Sequence, residues 1–190
     1  MGRLLFLIVG ALAAVAGCGG SDARRVEPVY DEATGQLELL KYDADGDARP
    51  DTWSYMEGTR VVRVEIDRDG DGRIDRWEYY DANQRIEKVG SSRANDGKPD
   101  SWAYYDISGA ISRLELSKQR DGTVDRIEYY QNGALARADE DTDANGRVDK
   151  WETYDGERLA TVAFDTRNRG TPDRRVVYAP DGSVRVEVLP

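Results

Sequence analysis

The chain has 190 residues, 34% of them charged and 39% hydrophobic, with a formal net charge of −10 and no histidine. With a mean hydropathy of −0.72, that composition excludes a deep apolar core and favours a thin or elongated structure. The acidic balance excludes nucleic acid as a partner, since phosphates demand cations. The missing histidine removes the usual general base and zinc ligand, and the single cysteine rules out an intramolecular disulfide.

Residues 1–17, MGRLLFLIVGALAAVAG, carry a basic start at Arg3 and an apolar run from Leu4 to Ala16. The run is too short to span a bilayer and fits a secretory signal peptide. It ends in VAGC at 15–18, which resembles the bacterial lipobox. The resemblance implies cleavage before Cys18, acylation of Cys18 and stable membrane anchoring through it. Gly19 follows in place of an aspartate, which favours a lipoprotein of the outer membrane within the cell envelope. Residues 18–29 then read as the lipidated cysteine and a short flexible tether.

From residue 30 to residue 190 the chain is a repeat of about six units. An aspartate recurs at Asp51, Asp75, Asp100, Asp125, Asp149 and Asp173, at intervals of 24, 25, 25, 24 and 24. Two residues after each come Trp53, Trp77, Trp102, Ile127, Trp151 and Arg175. Each unit joins an acidic, glycine-containing loop to an aromatic run such as WEYYD. A turn rich in Asp, Asn and Gly follows, and then a return strand such as VVRVEI. Alternation of apolar and polar residues and tight turns predict a β-hairpin per unit. A half unit at 30–42 opens the array. Consecutive hairpins predict an all-β antiparallel meander of about a dozen strands, as an open twisted sheet, a solenoid or a closed ring. The hairpin half, W-x-Y-Y-D-x-x-G, resembles bacterial MORN-variant and YwqK-like antitoxin-type repeats, which implies architecture rather than activity.

The acidic halves resemble the calcium loops of EF-hand, dockerin and thrombospondin type 3 repeats. Calcium takes six to eight oxygens on a flexible loop with a sharp turn at its centre. Numbering each loop from 1 to 12, loop 2 (67–78) offers Asp67, Asp69, Asp71, the carbonyl of Arg73, Asp75 directly or through water, and Glu78. Loop 5 (141–152) offers Asp141, Asp143, Asn145, the carbonyl of Arg147, Asp149 and Glu152. Both place glycine at position 6 and match the motif in full. Loop 1 (43–54) keeps Asp43, Asp45, Asp47 and Asp51 but has Ala48 at position 6 and Ser54 at position 12, so weaker binding is expected. Loops 3 (92–103), 4 (117–128) and 6 (165–176) have lost acids, with Arg167 and Arg169 among the replacements, and those cations can stand in for a metal's charge. Turn chemistry explains one Asp and one Gly per loop. It does not explain five mutually repelling carboxylates in twelve residues. Calcium is therefore the expected cofactor, and magnesium, which holds its own waters, fits less well.

Four tryptophans and eleven tyrosines at repeat spacing read first as packing within the sheet. An exposed row of them would instead stack sugars. No activated nucleophile stands out, and acids that recur in every unit mark structure rather than catalysis. The expectation is a non-catalytic, calcium-stabilised envelope scaffold binding an envelope protein. The alternative is a carbohydrate or peptidoglycan module.

Overall fold

The computed structural model describes residues 25–190, so the signal segment and Cys18 lie outside the described residues. Fourteen strands form one antiparallel sheet in strict chain order. They pair as seven hairpins: β1 (Val26–Tyr30) with β2 (Leu37–Tyr42), β3 (Thr52–Glu57) with β4 (Arg60–Ile66), β5 (Arg76–Tyr80) with β6 (Ile86–Ser91) and β7 (Ser101–Tyr105) with β8 (Ile111–Leu116). The array continues with β9 (Arg126–Gln131) and β10 (Ala134–Glu140), β11 (Lys150–Asp155) and β12 (Arg158–Phe164), and β13 (Arg174–Tyr178) and β14 (Val184–Val188). Among the described residues there is no helix. The sheet is open, since β1 bonds only to β2 and β14 only to β13, and this removes the ring from the alternatives. The opening half unit is a full hairpin whose first strand starts at Val26, inside the segment read as tether.

Two kinds of connection alternate along the chain, so they fall on opposite edges of the sheet. The hairpin turns occupy one edge. Asn132 and Gly133 both take positive φ, the pairing a two-residue type I′ turn requires. The six acidic loops occupy the other edge. They are stitched to one another: the amide of Asp67 donates to Asp51 O at 2.8 Å, and Ser92, Ser117, Asp141 and Asp165 donate to Asp75, Asp100, Asp125 and Asp149 at the same distance.

Cross-strand register assigns the two faces, because directly paired residues point the same way. One row runs Trp53, Glu65, Trp77, Gly90, Trp102, Glu115, Ile127, Asp139, Trp151. Beside it on the same face runs Tyr55, Arg63, Tyr79, Lys88, Tyr104, Arg113, Tyr129, Arg137. The tyrosine rings are covered by their cationic neighbours: Arg63 lies 3.9 Å from the Tyr55 centroid, Arg113 4.0 Å from Tyr104 and Arg137 4.2 Å from Tyr129. Lys88 sits over both Tyr79 and Trp102, whose rings are 5.9 Å apart. Trp102 can lie flat there because position 90 is glycine; a Cβ on Gly90 would stand 2.9 Å from the indole.

Just beyond the tyrosine row, each of the first six hairpins carries a bulge on its return strand, as between Tyr79 and Tyr80 opposite β6. Among the hairpins of the described residues, the seventh, β13 with β14, is the one that pairs without a bulge. Such insertions sharpen local twist. Among the described residues the buried apolar ones are few, namely Val89, Ala138, Val162 and Ala163. Cross-strand contacts within a single layer, rather than a core between layers, hold this sheet.

Candidate functional site

Five of the six acidic loops close through two residues, loop 3 closing through Asp100 alone while its Ser92 hydroxyl donates to Asp96. At position 1, the Asp67 carboxylate accepts the amides of Gly70 and Gly72, both at 2.8 Å. At position 9, Asp75 accepts the amide of Arg68 at 2.7 Å. Loops 1 and 5 repeat the arrangement. Asp43 takes Gly46 and Ala48, Asp51 takes Ala44, Asp141 takes Asn145 and Gly146, and Asp149 takes Thr142. Position 5 makes a smaller turn, with Asp47 accepting Arg49 N, Asp71 accepting Arg73 N and Asn145 accepting Arg147 N.

Positions 4 and 6 both lie in the left-handed region in all six loops. Position 6 is Ala48 (φ 71°), then glycine five times. Position 4 is Gly46, Gly70, Asn95, Arg120, Ala144 and Asn168. The glycine at position 6 was legible in the sequence. The matching demand at position 4 was hidden, because four of six loops meet it with a residue bearing a Cβ.

The loops gather three carboxylate clusters in which one ligand atom from each residue lies within 4.8 Å of the others: Asp43, Asp45 and Asp51; Asp67, Asp69 and Asp71; Asp141, Asp143 and Asp149. Two oxygens in one calcium shell can be up to about 5 Å apart, given metal–oxygen distances of about 2.3–2.6 Å, so this hard, all-oxygen donor set fits calcium. Glu78 and Glu152 do not join these clusters. Glu78 accepts Arg76 Nε at 2.6 Å and the Tyr80 hydroxyl on the strand face opposite the tryptophans. Glu152 accepts Arg126 Nη2 at 2.8 Å and the Tyr154 hydroxyl at 2.9 Å, and pairs with Lys150 at 2.7 Å. Loop 4, which has lost its early acids, still carries Glu128 at position 12, bonded to Arg126 and Tyr130. Position 12 therefore belongs to a strand motif, a cation, a glutamate and a tyrosine at alternate residues, and not to the loop.

Neighbouring loops touch. The Asn95 amide of loop 3 donates to Asp69 at 3.0 Å and to Asp71 at 3.1 Å, while Arg73 bonds to Asn95 O at 2.9 Å. In loop 6, Arg167 pairs with Asp173 at 3.4 Å, a cation at position 3 meeting the acid at position 9. Burial alone would raise the Asp165 carboxyl, but the amides of Gly170 and Arg167 outweigh it and hold that group below the usual range. Between loops 1 and 2 lies a cavity of about 190 Å³ lined by Asp45, Asp51, Trp53 and Asp67 among others.

A second polar cluster, unforeseen in the sequence, lies on strands β9 to β11 and the loop before β9. Arg126 donates to Glu128 (2.9 Å), Glu140 (2.9 Å) and Glu152 (2.8 Å). Lys118 and Lys150 complete the pairing of Glu140. Arg126 reaches across β10 beside Ala138, which is 0% exposed and offers only a methyl in its path. Burial by itself would raise the Glu152 carboxyl, yet Arg126, Lys150 and Tyr154 hold it down to about 2. Burial and the Glu128 hydrogen bond push the Tyr130 hydroxyl up to about 12.

No family model matches the chain, and none of the curated proteins matches it. Among solved structures, TarM aligns at a TM-score of 0.37 and 9% identity over 49% of this chain and 20% of its own. Accessory secretory proteins 1, 2 and 3 of Streptococcus pneumoniae align at 0.29 and 13% over 74% of this chain and 19% of theirs. The chain thus spans about a fifth of the length of these proteins, and at such TM-scores the likeness carries no argument about this molecule.

Proposed function

We propose that this is a non-catalytic repeat scaffold of the cell envelope, anchored by lipid on Cys18 and stabilised by calcium in loops 1, 2 and 5. The observation that carries the reading is the convergence of Asp43, Asp45 and Asp51, of Asp67, Asp69 and Asp71, and of Asp141, Asp143 and Asp149 along one edge of a rigid sheet. Loops stitched to their neighbours would transmit such binding along the array. The anchor rests on the lipobox resemblance of residues 15–18, and the hairpin-repeat resemblance supports an interaction platform rather than an enzyme.

The glycan reading has one observation in its favour, the row of tryptophans on an open face. Against it, the neighbouring tyrosine faces are capped by Arg63, Lys88, Arg113 and Arg137, so their stacking surface is already used within the sheet.

Calcium titration followed by thermal melting tests the proposal. Binding to the folded state stabilises by RT ln(1 + [L]/Kd), so near-millimolar calcium at sites of ~10⁻⁴–10⁻³ M would contribute ~0.4–1.4 kcal/mol per site. The melting temperature should rise with calcium and fall with EDTA, and Asp69→Ala with Asp143→Ala should remove most of the rise. Sodium chloride at matched ionic strength is the control, because screening alone stabilises an acidic chain. An equal rise with sodium would leave the loops as turns.

A further inference from the structure

We propose that β14 is a self-complementary docking strand through which two copies of this chain join, tail to tail, into one continuous sheet. Among the described residues β14 has a single hydrogen-bonded neighbour, β13. The amide of Leu189 donates to Asp173 O and that of Ala179 to Ser183 O. By alternation along the strand, Arg185 and Glu187 spend their backbone groups on β13. The N–H and C=O groups of Val184, Val186 and Val188 face outward. The same three valines are 59%, 66% and 75% exposed as whole residues. An apolar edge strand with unspent donors invites another strand.

The sequence of that edge selects the occupant. V-R-V-E-V reads as its own complement when paired antiparallel about Val186. Val186 then faces Val186 of the second copy, and Val184 faces Val188. On the other face Arg185 lies opposite Glu187, and Glu187 opposite Arg185. The interface thus holds two opposite-charge pairs and three apolar contacts in all, and opposite charges across a ladder stabilise where like charges repel. The arrangement is two-fold and closed, so it stops at two copies.

The competing head-to-tail contact, β14 against β1 of the next copy, is disfavoured twice over. Continuing the sheet's register would set Glu187 opposite Glu27, because the row that ends at Glu187 begins at Glu27. It would also set Val186 against Pro28. The amide of Asp43 donates to Arg25 O, so Arg25 and Glu27 turn their backbone groups toward β2, and Val26 and Pro28 face outward. Pro28 has no N–H to give, a common way of blocking an edge. One end of the sheet is therefore closed to pairing and the other is built for its own copy.

One strand per copy is a small interface, so association should depend on concentration. Sedimentation velocity of the full chain in mild detergent should show a dimer that dissociates on dilution. Val186→Pro removes the central outward donor without touching a bond to β13, and should leave a folded monomer, with an unchanged circular dichroism spectrum. Arg185→Glu and Glu187→Arg should each lose the dimer alone, and an equimolar mixture of the two should regain it. The proposal fails if the wild-type chain stays monomeric at every concentration or forms a ladder of larger assemblies. It fails equally if Val186→Pro still dimerises or the mixed charge variants do not re-form the pair.

Discussion

Replacing Arg126 by methionine should destabilise the sheet more than any other single surface-face change. The Arg126 side chain is 13% exposed and holds Glu128, Glu140 and Glu152, whose side chains are 14%, 4% and 10% exposed. Methionine fills similar volume but leaves Glu128 with only the Tyr130 hydroxyl. Glu140 keeps Lys118 and Lys150, and Glu152 keeps Lys150 and Tyr154. Breaking a fully buried pair costs about 3–5 kcal/mol. Because two of the three carboxylates retain a cation, and the site is partly wet, a loss of about 2–3 kcal/mol is expected. At ~2–4 °C per kcal/mol for a chain of this size, melting should fall by roughly 4–12 °C. In a linear array each strand leans only on its neighbours, so the transition should also broaden or split, with β1 to β8 and the strands after β10 melting apart. The pH dependence is the sharper check. Glu152 is held at about 2, below its ordinary 4.5, and Glu140 is also held down, by Lys118 and Lys150 against the effect of burial. Their contribution is complete above that ordinary value and is lost as pH falls through the folded value. The deficit of the variant should therefore be large at neutral pH and shrink near about pH 3. Thermal melts followed by circular dichroism at both pH values read this directly. A variant as stable as the wild type, or a deficit independent of pH, would refute the reasoning.

Gly90→Ala should lower stability by about 1–3 kcal/mol, since its methyl would overlap the Trp102 ring; tryptophan fluorescence during denaturant titration would report both the shift and the displaced indole. Ala48→Gly should raise stability by about 1 kcal/mol, because Ala48 sits at φ 71°; an unchanged urea midpoint would count against strain at that position. Asp139 is pushed up by burial, with only Arg137 opposing, and one of its oxygens lacks a partner. A raised carboxylate costs stability above its ordinary range, so Asp139→Asn should stabilise at neutral pH and do nothing in acid, as paired melts would show.

The hairpins were legible because strands of period two and turns rich in Asp, Asn and Gly announce themselves residue by residue. The pairs Asn132–Gly133 and Trp77–Tyr79 carry their geometry locally. Less legible was anything that depends on which strands become neighbours. The bulges leave no mark in the composition of the return strands. The Arg126 cluster draws on residues 126, 128, 140, 150 and 152 from three strands and on Lys118 from a loop, and only the register brings them together. Glu78 and Glu152 were ambiguous for a specific reason. The twelve-residue loop window overlaps the first three residues of the following strand, so a strand glutamate occupies the place a helix-flanked loop would use for its last ligand. Glu128, in a loop with few acids left, is the residue that separates the two roles.

The same separation runs through the loops themselves. Outside loop 3, closure is performed at positions 1 and 9, and it survives a change of chemistry: Ser117 replaces an aspartate at position 1 and still accepts the amides of Asp121 and Gly122, each at 3.2 Å. Position 3 behaves otherwise. It is aspartate in loops 1, 2 and 5, and in the other three it is Ala94, Gln119 and Arg167, yet all six loops take the same left-handed turns on either side of position 5. An acid at position 3 is therefore dispensable for the backbone, and its placement beside two further carboxylates raises repulsion that the fold does not need. Asp69→Ala with Asp143→Ala should then cost little in EDTA, about 1 kcal/mol for the lost Asn95–Asp69 hydrogen bond less the repulsion relieved, while costing clearly more in calcium. Should the double variant lose as much stability in EDTA as in calcium, these aspartates would be structural turn residues, and the surplus of charge along this edge would need another explanation than a cation.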